Sequence, residues 1–413
     1  MLETVRSLIR FRRFERSAAA RRLARAANIS DLRIMAKKRL PGGVFDYIDG
    51  GAEDELTYRR NSSAFSDYEF RPRVLRDVSG MDTTTTLFGD HLSFPLVVAP
   101  MGFVRIAHPL GELALAAGAE RAGVPFALST LGTRSIEEVA AIGEGSNWFQ
   151  VYVWKDRSLV RELLDRARES GYRAIAITVD TAVLGRRERD VRRGFTLPPA
   201  VGLDTLLQGG LHPSWTWELL RSEPIRFANV SRAEIGDGVD AINLAAYTQD
   251  QFDPSLSWGD IDWFRSNWDG PIVIKGVQSV DDARRAVEAG VNSVCISNHG
   301  GRQLDGAPAP VELIEPIVQA LGGAVPVISD GGVRRGSDIV KAIALGADAV
   351  MVGRPFFYGL GAAGRAGVDF AFDFLEAGMR QVMALNGVTS LKGITREMIR
   401  HRPTEPLYVG GLS

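Results

Sequence analysis

The chain has 413 residues, 45% hydrophobic and 24% charged, which suits a large core and a length that α/β barrels carry as one domain. A net charge of −1 supplies no global field for nucleic acid, and the single cysteine, Cys295, excludes an internal disulfide and leaves no structural zinc site. That cysteine usage fits a reducing compartment. No run approaches the roughly 18 apolar residues of a spanning helix, and charges interrupt every apolar run near the start, unlike a secretory signal.

Residues 1–27 hold eight arginines against two glutamates, interleaved with Leu2, Val5, Leu8, Ile9, Phe11 and Phe14. Two readings stay open for this segment: a frayed, solvated basic helix, or one lying on an anionic membrane surface. Asn28, Ile29 and Ser30 match a glycosylation acceptor but are read as a helix start. Residues 30–65 read as helices broken at Pro41, Gly42 and Gly43 and at Gly50 and Gly51. From residue 95, short β-branched runs alternate with helical patterns, at 95–100, 125–130, 149–154, 174–180, 271–276, 293–298, 325–330 and 349–353. Eight such units predict a closed (β/α)8 barrel of parallel strands.

Helical patterns at 111–122, 157–170 and 280–289 each run into a glycine, and Ser279 and Ser337 with Asp338 place acceptors at helix starts. Roughly ninety residues separate the fourth strand from the fifth, far more than an ordinary connection. This excursion, about 191–260, carries Trp215 and Trp217 and is expected over the barrel mouth as a lid, or docked on a membrane or partner. One or two closing helices are expected over 367–400. The organisation read from the sequence is a basic extension (1–29), a barrel domain (30–400) and a tail (401–413).

Reactive residues of barrels sit at the C-terminal ends of strands. Those ends carry Gly102, Ser129, Gln150, Tyr152, Thr178, Asp180, Lys275, Asn298, His299, Arg302, Asp330, Gly353 and Arg354. Singly, Ser129 or Thr178 could pack in a core; together the set marks an active site. The loops after the last two strands, Asp330 to Gly336 and Gly353 to Pro355, pair glycine with arginine, as anion cradles do. No GxxxxGK occurs, which argues against a nucleoside triphosphate. The GxGxxG match at 359–364 does not directly follow a strand and only helical patterns come after it, so it is read as a closely packed helix and NAD is not expected. His299, flanked by glycines, is the candidate base, with Asp180 as the carboxylate that holds its tautomer. Lys275 would fix a positive charge that stabilises an electron-accepting cofactor.

Residues 297–305 (SNHGGRQLD), with FDYIDGGAEDE at 45–55, WFQVYV at 148–153, TVD at 178–180, GRRERD at 185–190, IKG at 274–276 and DGGVRRG at 330–336, resemble the FMN-dependent L-2-hydroxy acid oxidases and dehydrogenases. The resemblance covers residues 30 to about 400. It implies FMN as cofactor, His299 as base and Asp180 as its partner. By the same resemblance Arg302 and Arg187 meet the substrate carboxylate, and Tyr47 and Tyr152 hydrogen-bond the substrate. Lys275 stands at the flavin N1/O2 edge, and Ser129, Gln150 and Thr178 contact the ring. Met101 and Ser297 join the cofactor set, with the Gly102 backbone near N5. Gly332, Arg334, Gly353 and Arg354 match the phosphate site, and Asp330 the ribityl side.

Two positions depart from glycolate oxidase: Gly102 replaces alanine and Leu131 replaces tryptophan, and both enlarge the side-chain pocket. The excursion from Leu211 to Trp258 most resembles that of bacterial L-lactate dehydrogenases. The expectation is therefore oxidation of L-lactate to pyruvate, with electrons passed to a quinone or other respiratory acceptor because no cytochrome-like domain precedes the barrel. An oxidase using O2 on mandelate-like or longer hydroxy acids is the rival, and a non-catalytic flavin-binding barrel the rival of another class. By analogy the chain is expected to form a homotetramer in the cytoplasm, with peripheral contact at the inner face of the cell membrane.

Overall fold

The computed structural model describes residues 17–193, 209–230 and 252–402. Eight parallel strands form a closed barrel: β1 (Leu96–Val98), β2 (Phe126–Ser129), β3 (Asn147–Tyr152), β4 (Ala174–Thr178), β5 (Ile272–Val277), β6 (Ser293–Ser297), β7 (Val327–Asp330) and β8 (Ala349–Val352). Each expected strand is present, its ends moved by at most two residues. The ring closes where Val350 of β8 pairs with Leu96 of β1, leaving no barrel edge. The strands are buried on both faces, which is why they read as unbroken apolar runs. Val97, Ala127, Trp148, Ala176, Val273, Cys295 and Ile328 fill the interior, so Cys295 is a core residue.

The helices outside follow their local chemistry. Asp156 accepts the Ser158 amide at 2.9 Å, opening Arg157–Glu169. Leu159, Val160, Leu163, Leu164 and Ala167 then recur on one face and are buried, each large side chain contributing about 2 kcal/mol. Asn28 caps Ile29–Arg39 by accepting the Asp31 amide at 3.1 Å, which makes the Asn28 motif a helix start. The described part of the basic N-terminal segment is a short helix, Ala18–Leu23, docked through Arg22, whose Nε donates to the Ala362 carbonyl at 3.1 Å. Residues 1–16 lie outside the described residues.

A hairpin absent from the sequence reading, Thr85–Leu87 with Asp90–Leu92, closes the bottom of the barrel. Leu87 and Leu92 join the interior cluster, and the Phe88 ring lies 5.4 Å from that of Trp148. The closing segment is one helix, Arg365–Leu385, followed by two 3-10 turns and a strand, Ile399–His401, that pairs with Tyr68–Phe70. Asn386 and Gly387 stop the helix there, so the expectation of helix to residue 400 is corrected. The GxGxxG stretch lies mainly in helix Arg354–Ala363. A Cβ on Gly359 would stand 2.3 Å from the Gly367 carbonyl oxygen, so these glycines let two helices touch backbone to backbone.

The described parts of the excursion are packed on the barrel. Trp215 Nε1 donates to the Ile106 carbonyl at 2.7 Å, and Arg105 Nη2 to that of Glu223 at 2.6 Å. Asn229 Oδ1 accepts the Ile136 amide at 2.9 Å. Residues 209–230 therefore lie across the loops that follow β1 and β2. The expectations for 194–208, 231–251 and the tail beyond 402 fall outside the described residues.

Candidate active site

The C-terminal strand ends open into one cavity. It is lined by Tyr47, Met101, Gly102, Leu131, Gln150, Tyr152, Thr178, Arg187, Lys275, His299, Arg302, Asp330, Gly332, Arg334, Gly353 and Arg354. Ser129, Asp180 and Ser297, also expected in the site, stand behind this lining as hydrogen-bond partners. Ser129 Oγ donates to Gln150 Oε1 at 2.8 Å, which turns the Gln150 amide nitrogen toward Thr178 Oγ1, 2.9 Å away.

The centre of the site is a histidine–carboxylate pair. His299 has a left-handed backbone (φ 56), a conformation a non-glycine residue keeps only at a cost of about 1 kcal/mol or more. The turn sets His299 Nδ1 2.9 Å from Asp180 Oδ1. With Asp180 ionised, Nδ1 carries the proton and donates, which leaves Nε2 with the free lone pair. Gly276, at φ 114, lets Asp180 approach, because a Cβ there would lie 2.8 Å from the Asp180 Cβ. Asp180 Oδ2 is buried with no hydrogen-bond donor among the described residues. Burial pushes the Asp180 carboxyl up, but His299 and Lys275 outweigh it and hold the group below its ordinary value. Burial carries the His299 imidazole below its ordinary value against the pull of Asp180. At neutral pH the pair is thus a carboxylate and a neutral imidazole, able to accept a proton.

Two guanidiniums face the same space. Arg302 Nη1 donates to the carbonyls of Tyr47 at 2.6 Å and Gly50 at 3.2 Å. Burial and the neighbouring Arg187 push Arg302 down to about 9, so it remains a cation at neutral pH. Arg187 Nε is buried with no acceptor among the described residues. Like charges with an unused buried donor call for an anion, and paired forks suit a planar carboxylate. Tyr47 Oη donates to the Gly102 carbonyl at 3.1 Å. Burial and Asp180 push the Tyr152 phenol up to about 12, keeping it protonated as a donor.

Below this lies a buried cation. Lys275 Nζ sits 2.7 Å from Asp330 Oδ2 and donates to Ser297 Oγ at 2.9 Å. Burial would lower its pKa, but Asp330 and Asp180 reverse that and hold it above the ordinary lysine value. The anion cradle differs in part from expectation. Asp338 Oδ2 accepts the amides of Arg334 and Arg335, both at 2.9 Å, so the start of helix Gly336–Ala344 is already capped. Helix Arg354–Ala363 begins at Gly353 with no side-chain cap. Arg334 lines the cavity beside it, whereas the Arg354 fork is bound to the carbonyls of Ile48, Gly50 and Gly300.

Of the distal wall, sequence reasoning found only Leu131. Phe227 and Phe252 line the cavity with Leu131 and Leu184; Phe227 lies 5.7 Å from the Phe103 ring and Phe252 5.0 Å from that of Tyr152. Both belong to the long excursion, and only its aromatic content signalled them.

A closed parallel barrel with a buried lysine, a histidine–carboxylate pair and an arginine-lined anion site defines an oxidoreductase-type site with room for a phosphorylated planar cofactor. The FMN-dependent dehydrogenase family model matches residues 36–401, and the chain belongs to that family. It is 43% identical to the putative L-lactate dehydrogenase of Mycobacterium tuberculosis over 391 residues, 94% of this chain and 92% of that one. It is also 43% identical to glycolate oxidase 1 of Oryza sativa subsp. indica over 372 residues, 90% of this chain and 95% of the relative. The L-lactate dehydrogenase of Alcaligenes faecalis is 41% identical over 91% and 98% of the two chains. The crystal structure of a monotopic membrane protein, (S)-mandelate dehydrogenase, superposes with a TM-score of 0.88 at 38% identity, covering 91% of this chain and 100% of the other.

The cofactor is FMN, and the activity class is FMN-dependent oxidation of a 2-hydroxy acid. The residues present fit that group. The uncapped helix start at Gly353 and the Arg334 guanidinium suit a phosphate, and the Gln150, Thr178 and Lys275 donors suit the polar edge of a flat ring.

Proposed function

We propose that this chain is an L-2-hydroxy acid dehydrogenase that converts L-lactate to pyruvate and passes electrons to a quinone or other respiratory acceptor. The observation that carries the reading is the His299–Asp180 pair, 2.9 Å apart, in the cavity shared by Arg187 and Arg302. Arg302 and Arg187 hold the substrate carboxylate, and Tyr47 and Tyr152 bond its oxygens. His299 Nε2 takes the proton that leaves the substrate, and Asp180 stabilises the imidazolium that results. FMN would supply the acceptor for the electron pair and the second hydrogen that the substrate loses in becoming the 2-oxo acid. Lys275 would hold positive charge at the N1/O2 edge, and Ser129, Gln150, Thr178, Met101, Gly102 and Ser297 would hold the ring. Asp330 would meet the ribityl chain, and Gly332, Arg334 and Gly353 the phosphate, with Arg354, its fork held by the Ile48, Gly50 and Gly300 carbonyls, adding positive charge beside them.

A second reading draws on the distal wall. Phe227, Phe252, Leu131 and Leu184 with the missing methyl at Gly102 favour a bulkier hydroxy acid, of the mandelate type, and an oxidase could use O2 on it. Initial rates on L-lactate and L-mandelate, each with a quinone analogue or O2, decide between them. Faster turnover of L-lactate with the quinone supports the dehydrogenase; faster turnover of L-mandelate with O2 replaces it.

The reading extends to a cytoplasmic homotetramer with a peripheral membrane contact. Helix Pro213–Leu220 exposes Trp217 and Leu220, with Leu211 just before it, and Arg221 lies 4.1 Å over the Trp217 ring. With the basic residues 1–27, these suit an anionic lipid surface. Among the described residues, no helix is long and apolar enough to cross a membrane. Failure to sediment with anionic vesicles at low salt would remove the contact, and light scattering reads the tetramer.

A further inference from the structure

We propose that Arg189 and Asp49 form a positioning pair that registers the guanidinium of Arg187 against that of Arg302. The proposal rests on reading those two arginines as the holders of the substrate carboxylate. Arg187 is the residue just before helix Glu188–Arg192, a short helix with no buried residue of its own. Packing therefore does not fix its place, and polar contacts must.

Those contacts converge on one helix end. Arg189 Nη1 donates to Asp49 Oδ2 at 2.9 Å, Nη2 donates to Glu55, and Asp46 stands 3.8 Å away. Asp49 is fully buried and is held by three further side chains. Arg33 donates to both its oxygens, at 2.5 and 2.6 Å, Tyr358 Oη donates at 2.7 Å and Tyr58 Oη at 3.3 Å. A buried carboxylate bound by that many donors is a fixed point, because any shift leaves charge unpaired. Asp49 closes helix Gly42–Asp49, which also carries Tyr47.

The same helix end receives the second arginine. Arg302 donates to the carbonyls of Tyr47 and Gly50, groups left open where the helix stops and where positive charge is favoured. One helix terminus thus locates both forks: Arg302 by direct contact, Arg187 through Arg189 two residues on. A displacement of about 1 Å in one fork is enough to spoil bidentate binding of a planar anion. Removing Arg189 leaves Asp49 paired with Arg33 and two tyrosines, so the cost should fall on anion binding rather than on folding.

The test uses the FMN-loaded full chain and oxalate, a planar dicarboxylate read by its perturbation of flavin absorbance. Arg189→Met should raise the oxalate Kd and the KM for the hydroxy acid about tenfold while kcat, FMN content and Tm stay near the parent. Arg189→Lys should recover part of the affinity, since one ammonium can meet only some of the carboxylates. Arg187→Met should lose as much or more, and the double variant should be no worse than Arg187→Met alone. Parental oxalate affinity in Arg189→Met beside a loss in Arg187→Met would overturn the positioning role. So would an affinity loss matched by loss of FMN and of Tm, which marks a structural role. Parental affinity in Arg187→Met would remove the carboxylate reading itself and the proposal with it.

Discussion

Replacing Asp180 by asparagine isolates the charge behind His299. The amide keeps the size of the side chain and an acceptor for the Nδ1 proton, 2.9 Å away, so the geometry is preserved while the charge is removed. The Asp180 side chain is only 5% exposed, and its second oxygen meets no donor among the described residues, so no other hydrogen bond draws its charge from the imidazole. Unit charges about 4 Å apart at an effective dielectric of about 20 attract by about 4 kcal/mol. If most of that is felt as His299 gains its proton, the rate of flavin reduction falls by about a thousandfold. The sign of the pH effect follows from the same contact. Asp180 opposes the burial that lowers His299, so the Asp180→Asn imidazole becomes still harder to protonate and the acidic limb of kcat/KM moves to lower pH. Anaerobic stopped-flow absorbance across pH reads both quantities. A variant within tenfold of the parent, with its acidic limb unmoved, would show that Asp180 does not support a proton transfer to His299.

Three other perturbations probe separate parts of the structure. Lys275→Met removes the buried cation and strands Asp330; stability should fall by about 3–5 kcal/mol and the flavin midpoint potential should drop, and an unchanged potential in a redox titration would separate Lys275 from the cofactor. Leu131→Trp fills the distal space beside Gly102, so turnover of L-mandelate should fall about tenfold or more relative to L-lactate; an unchanged ratio of kcat/KM values would place the substrate side chain elsewhere. Gly359→Val forces a side chain into the Gly367 backbone and should lower Tm markedly; a variant of parental Tm would refute the close helix crossing.

The barrel was readable because its strands are buried on both faces, which leaves runs such as 174–178 without a polar interruption. Residues at the strand ends were readable for the complementary reason: His299, Lys275 and Asp330 have no place in a core except as a paired set. The hairpin at 85–92 escaped because strands of three residues give no periodic signal. Asp338 was legible as a helix-start acceptor, yet that capping is what takes the Arg334 and Arg335 amides away from a phosphate. Phe227 and Phe252 escaped because their approach to the cavity depends on how the excursion packs over the loops, through contacts such as Trp215 with Ile106 that no local pattern encodes.

The most direct test of the proposed chemistry is anaerobic mixing of the yellow, FMN-loaded protein with L-lactate while the oxidised flavin band is followed, for the parent and for His299→Gln. Rapid bleaching of the parent, none with D-lactate, and bleaching slowed by several powers of ten in His299→Gln are the predicted results. Parental bleaching in His299→Gln would contradict the assignment of His299 as the base, and a parent that bleaches with no L-2-hydroxy acid would contradict the activity itself.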